Sequence, residues 1–210
     1  LAKSLAKKGI KVTFWSTTLW HHQKRLIFDE DTEVLHDDYK VKYLHCGSYK
    51  KNISVARFFH HYRFAKKLKK QIKVFPNPDL IMVAHPIHGV AKIVIDFANK
   101  RNIPVILDLR DFWPDIFETI FPKFFKFLYK LFFFRDIIIT KKIFNKATAL
   151  VGVMPQIVDW AIKFSGRTKN DQNKVFYIGG DSQQNSAKLD SNFIDKKAIE
   201  EKIIFNYMGS

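Results

Sequence analysis

A single cysteine, Cys46, stands among the 210 residues, so neither an internal disulfide nor a multi-thiolate metal site can form. Nothing argues for an oxidising compartment, and a reducing cytoplasm is the default expectation. Long apolar runs are missing too: stretches such as 131–134 are broken by Lys or Arg well before the ~18 residues that a membrane span needs. The first residues carry no secretory pattern, because Lys3, Lys7 and Lys8 interrupt them. Acidic residues are in deficit, 20 against 36 Lys and Arg, which leaves a net charge of +16. Low hydrophobicity is not part of the picture. At 47% hydrophobic and 15% aromatic the chain is able to bury a core, which excludes a disordered basic tail. Its length fits one ordinary domain, or one and a beginning.

The positive charge is local. Residues 50–73 hold nine Lys or Arg and no acid, and residues 121–146 hold seven against one acid. Those two segments account for fifteen of the sixteen units of net charge, and the rest of the chain is close to neutral.

Hydrophobic periodicity predicts a helix over 1–8 stopped by Gly9, a β-branched and aromatic strand over 11–17, and a second strand over 41–46. Residues 54–74 read as a long basic amphipathic helix, with Val55, Phe58, Phe59, Tyr62, Ala65, Leu68 and Ile72 as its apolar stripe. Apolar strands follow at 79–84, 104–109, 149–153 and 175–178, separated by helices over 88–101, 122–146 and 155–165. Strand and helix alternating at this spacing predict right-handed βαβ units in an α/β, doubly wound parallel sheet. In such sheets ligands bind beyond the carboxyl ends of the strands. The residues to inspect are therefore Ser16 with Thr17 and Thr18, His85 with Pro86, the run from Arg110 to Pro114, Met154 with Pro155, and Asp181 after two glycines.

Residues 104–115, PVILDLRDFWPD, resemble the strand and loop of the family 4 glycosyltransferases. Other pieces agree in order and spacing: LAKKGIKVT at 5–13, YKKNISVAR at 49–57, PDLI at 78–81, ATALVGV at 147–153 and KVFYIGGD at 174–181. The resemblance implies a retaining, metal-independent enzyme of two Rossmann-like domains, the GT-B fold, that moves a sugar from a nucleotide donor without any other cofactor. Its partners would be a nucleotide sugar and a glycan or lipid-linked acceptor, in the synthesis of a surface polysaccharide. On that basis residues 1–181 correspond to the acceptor-side N-terminal domain without its first strand, 182–202 to a linker, and 203–210 to the first strand of a donor-binding domain. Such a piece is expected to turn over little or nothing by itself.

The same resemblance places a polar or charged residue facing the anomeric centre where Arg110 and Asp111 stand. Glycosyl transfer passes through an oxocarbenium-like state, so electrostatic stabilisation and orientation matter most. Asp111 is the candidate for steadying positive charge on the sugar or orienting the acceptor hydroxyl. Arg110 is the candidate partner of a phosphate, or of Asp111 itself. His85 is a candidate for hydrogen bonds to sugar hydroxyls, Trp113 for stacking on a ring, and Ser16 and Asp181 for the cleft. Each also has a structural reading: an Arg–Asp tie for the loop, a loop anchor for Trp113, a turn cap for Asp181. No metal site is expected. The neighbouring histidines His21–His22 and His60–His61 point apart, and His60 and His61 read as helix-surface residues. Cys46 reads as a small buried residue.

The two basic segments suggest attachment to an anionic membrane surface, as a peripheral protein on its cytoplasmic face. Lys123, Lys126 and Lys130 fall on one stripe of a Phe-rich helix, and Arg57, Arg63, Lys66 and Lys70 line the helix over 54–74. The competing reading is a core helix whose lysines snorkel to water. Two functional rivals remain at this point: a basic nucleic-acid-binding module, and a sugar-nucleotide epimerase of the same architecture.

Overall fold

A computed structural model describes residues 1–36, 39–51, 54–87, 89–119 and 130–177. Lys123 and Lys126 lie outside the described residues, as do Asp181, the linker expected at 182–202 and the strand expected at 203–210. The described chain is mixed α/β, and its clearest element is a four-stranded, wholly parallel sheet in the order β6-β7-β8-β9. These strands are Ile81–His85, Val105–Leu109, Ala149–Gly152 and Lys174–Val175. Every residue of β8 and all but one of β7 are buried, as continuous apolar runs in a covered parallel sheet should be.

Earlier in the chain the short helix α1 (Ala2–Ala6) buries none of its residues and leads into β1 (Val12–Thr17). A small antiparallel hairpin, β2 (Leu19–Trp20) and β3 (Arg25–Leu26), follows. Then β4 (Thr32–Leu35) and β5 (Tyr39–Leu44) complete a second sheet ordered β1-β5-β4, in which β1 and β5 are parallel and β4 antiparallel. The expected α/β alternation with a parallel sheet is present in β6–β9 and in the β1–β5 pair, but the periodicity reading missed β2, β3 and β4, and among the described residues no ladder joins β1 to β6. The reason is that β4 is held by charge as much as by apolar burial. Glu33 accepts from Lys40 and from Lys42, the latter at 2.6 Å, and Asp31 accepts from Lys67 at 2.6 Å and from the His45 N–H at 2.7 Å. Such a strand carries no run of apolar residues to recognise.

The crossover from β5 to β6 is α2 (Val55–Val74), whose ends obey local chemistry. The Ser54 hydroxyl caps it by accepting the Arg57 N–H at 3.2 Å, and Phe75 turns extended because Pro76 follows. Helices α3 (Val90–Asn99), α4 (Phe134–Lys146) and α5 (Pro155–Ser165) continue the alternation. Helix α2 packs on α3, α3 on α4, and α4 on α5. Their shared core gathers Leu44, Phe64, Leu68, Ile95, Leu107, Leu109, Phe144 and Leu150, so both sheets draw on one hydrophobic cluster. Arg167 closes the end of α4, donating to the carbonyls of Phe144 at 2.6 Å and Ala147 at 3.0 Å.

Helix α2 holds the largest departure from periodicity. Its buried residues are His60, Phe64, Ala65, Leu68 and Ile72, whereas Val55, Phe58, Phe59 and Tyr62 are exposed. At 100° per residue Val55 lies about half a turn from Phe64, so what reads as one drifting stripe is two apolar faces on opposite sides. The expectation that His60 sits on the helix surface is overturned for the same reason: it shares the inner face and is 3% exposed.

Candidate active site

The carboxyl ends of β6 and β7 place the expected residues together. The Arg110 N–H donates to the His85 carbonyl at 3.0 Å, so the last rung of the β6–β7 ladder carries both candidates. Arg110 does not pair with Asp111. Its guanidinium grips Asp108 instead, Nε to Oδ2 at 2.7 Å and a second nitrogen to the same oxygen at 2.5 Å. Asp108 is almost wholly buried within β7, while the Arg110 side chain is 57% exposed. A buried carboxylate needs such a partner, and this one fixes the direction in which the guanidinium leaves the sheet.

Asp111 turns back on its own loop, its Oδ1 accepting the Phe112 N–H at 2.9 Å. That bond occupies one carboxylate oxygen and orients the other. The loop beyond is anchored from below: Phe112 meets Trp160 edge-on at 5.4 Å, and the Trp160 indole N–H donates to Asp115 at 2.9 Å. Trp113 lies edge-on to Phe133 at 6.0 Å, and Pro114 is fully buried. His85 is 4% exposed: its ring packs edge-on against Phe144 at 5.2 Å, and its carbonyl is taken by the Arg110 N–H. The peptides His85–Pro86 and Trp113–Pro114 are both cis.

The other rim, beyond β1 and β5, has a different chemistry. Ser16 is half-buried within β1, in register with Tyr43, and the buried hydroxyl at the strand end is that of Thr18, 3.2 Å from His45 Nδ1. Tyr49 is buried at the centre of a cluster of rings and cations. Its hydroxyl meets His21 Nδ1 at 2.6 Å, Lys24 Nζ lies 3.3 Å from the same nitrogen, and Lys24 and Arg57 lie over the ring at 5.0 and 6.0 Å. An ammonium only donates, so His21 Nδ1 is the acceptor and the Tyr49 O–H donates to it. Burial first, and then the charges of Lys24, Arg57 and His22, hold the His21 imidazole below its ordinary pKa, which favours that neutral form. His60 stands edge-on to Tyr49 at 5.1 Å, and its Nδ1–H donates to the Gly47 carbonyl at 2.9 Å. Burial lowers its pKa as well.

Of the basic residues singled out in the sequence, Lys130, Arg63, Lys66 and Lys70 are exposed, and Arg57 is half-buried over Tyr49. Sequence reasoning missed Asp108 and Tyr49. Asp108 had a readable signal, a lone charge inside the apolar run 105–109; Tyr49 had none, since its partners are scattered over forty positions. Among the described residues no three His, Cys, Asp or Glu side chains are grouped to hold a metal ion. No helix among them is long and apolar enough to cross a membrane. No protein-family model matches the chain, and no curated protein matches it significantly.

Proposed function

We propose that this chain is the acceptor-side, doubly wound half of a GT-B glycosyltransferase of the family 4 type. In this reading it moves a sugar, with retention, from a nucleotide donor to a glycan or lipid-linked acceptor in surface-polysaccharide synthesis. The observation that carries the reading is the rim of β6 and β7, where the Arg110 guanidinium, braced on buried Asp108, stands beside the Asp111 carboxylate, folded back on the Phe112 N–H of an anchored loop.

The chemistry needs little from this half beyond charge and orientation. The anomeric carbon–oxygen bond to the donor phosphate breaks, a bond to the acceptor oxygen forms, and the acceptor proton leaves with the departing phosphate. Arg110 is assigned to anionic oxygen on the donor or acceptor, and Asp111 to the developing positive charge or the attacking hydroxyl. Trp113 borders the site, and Asp108 is a positioning residue that acts through Arg110. The donor's base and sugar would be held by the second domain, and the protein would work as a peripheral enzyme on an anionic membrane surface.

The test is a transfer assay on the intact protein with nucleotide sugars and lipid-linked acceptors, with product analysis to separate transfer from epimerisation. Arg110→Ala and Asp111→Asn are each expected to lower kcat by about 10²-fold or more. Transfer unchanged in both variants would sink the assignment.

A further inference from the structure

The rim beyond β1 and β5 draws positive charges together. The turn between β2 and β3 carries His21, His22 and Lys24, and α2 brings Arg57 from its first turn. Three of them meet at buried Tyr49: its O–H donates to His21 Nδ1 at 2.6 Å, and Lys24 Nζ and the Arg57 guanidinium lie over its ring at 5.0 and 6.0 Å. His22 stands edge-on to His21 at 5.7 Å. Lys24 holds a left-handed φ, +53°, which ordinarily favours Gly or Asn, and its ammonium comes within 3.3 Å of His21 Nδ1. The charges that act on His21 are those of Lys24, Arg57 and His22, all of one sign. Asp31 and Glu33 are engaged by Lys67, Lys40 and Lys42, and residues 50–73 contain no acid. Like charges gathered in this way repel one another, and an anion among them relieves that cost.

The geometry points to a phosphoryl-binding site at this rim, with Lys24 and Arg57 as its charged contacts, His22 as a further N–H donor and Tyr49 as its floor. A phosphate dianion brings a double negative charge on oxygens that point in several directions. Arg57 meets it with a planar fork of donors and Lys24 with a compact point charge, and the amino end of α2 adds partial charge of the same sign. A carboxylate fits less well, because one charge spread in one plane leaves part of the cluster unmatched. Arg57, which the sequence groups with Arg63, Lys66 and Lys70 along α2, is thereby set apart from them: it is half-buried over Tyr49, and they are exposed. The site is separate from the Arg110–Asp111 rim that follows β7, and it goes beyond the transferase reading.

The experiment is calorimetric titration of the full chain, at about 0.15 M salt, with inorganic phosphate, glucose 1-phosphate and acetate. Lys24→Gln/Arg57→Gln is compared with the parent and with Lys66→Gln/Lys70→Gln, which removes the same charge from exposed positions further along α2. Circular dichroism checks folding, and Lys24→Gln alone serves if the first double variant unfolds. Saturable phosphate binding is expected in the parent, weakened roughly tenfold or more by Lys24→Gln/Arg57→Gln and less than about twofold by the control pair, with acetate bound roughly tenfold more weakly than phosphate. Tighter binding of glucose 1-phosphate than of inorganic phosphate assigns the site to a phosphoryl group carried on a larger molecule; equal or weaker binding assigns it to the free ion. No saturable phosphate binding, equal losses in the two double variants, or acetate bound as tightly as phosphate would overturn the site. Sugar transfer plays no part in the readout, so failure here leaves the transferase reading standing, and loss of transfer leaves this site standing.

Discussion

The two sheets of this protein share one hydrophobic cluster yet face different surroundings. In the β6–β9 sheet, strands β7 and β8 are buried along almost their whole length; in the β1-β5-β4 sheet, β1 has no fully buried residue and β4 is laced by ion pairs. The rims differ in the same sense. Beyond β7 a carboxylate–guanidinium pair leads into an anchored loop, whereas beyond β5 rings and cations crowd around Tyr49. Apolar burial holds the β6–β9 sheet in place, while charge and ring contacts add to the shared core in holding the other. Mutations should therefore be felt unequally in the two.

The largest effect is expected at Phe144, which is fully buried and touches His85, Trp160 and Phe164. Phe144→Ala should cost about 3–5 kcal/mol, against within about 0.5 kcal/mol for Phe14→Ala on the exposed face of β1. Urea melts of both variants measure this, and equal losses would erase the contrast between the sheets. Gly152 comes next. A Cβ there would lie 2.4 Å from Ile157 Cγ2 and 3.0 Å from Val158 Cγ2, so no side chain fits between β8 and α5 without displacement. Gly152→Ala should cost about 1–3 kcal/mol, and Ile157→Ala, which removes the clashing Cγ2, should cost less in the Gly152→Ala chain than in the parent.

The pattern of burial also decides what could be read from sequence. Strands β7 and β8 are legible because burial on both faces demands unbroken apolar runs, β6 because it opens with the apolar run 81–84, and α5 because Pro155 opens it and Gly166, at φ +72°, closes it. Strands β2, β3 and β4 were not legible, since a short strand stabilised by Glu33 and its lysines has no apolar signature. The same blindness affected the site. Arg110 and Asp111 stood out by position, but the partner that orients Arg110 proved to be Asp108, two residues earlier on the same strand. The double-faced helix α2 defeats periodicity altogether, because two apolar faces half a turn apart sum to a wide stripe.

A smaller effect separates the sheets by pH. His60 and His21 both have lowered pKa values and belong to the β1–β5 rim. Their imidazoles are favoured neutral in the fold, so unfolding takes up protons once the pH drops below the ordinary value of 6.5. The stability they contribute is complete above that value and is lost as the pH falls through it towards the folded-state pKa. The melting temperature is expected to fall between neutral pH and pH ~5, and to fall less in His60→Gln. An identical slope in that variant would remove His60 from the account.

The finest comparison asks whether the two sheets open together, and Cys46 supplies the probe. It sits directly after β5, 1% exposed, and burial pushes its thiol from 9.0 up to about 11. At pH ~8 so high a pKa leaves about a hundredfold less thiolate than an ordinary thiol, so labelling by a disulfide reagent reports opening of the β5–α2 region and little else. Because β1 has no fully buried residue and β4 depends on ion pairs, that region should open at lower cost than the β6–β9 sheet. Labelling is therefore expected to accelerate at urea concentrations below the midpoint of the global transition, and added salt should shift it further by screening Glu33 and Asp31 from their lysines. Should labelling instead follow the global transition at every urea concentration, the shared cluster around Leu44, Phe64 and Leu107 would bind the two sheets into one cooperative unit, and the contrast between them would be one of chemistry alone.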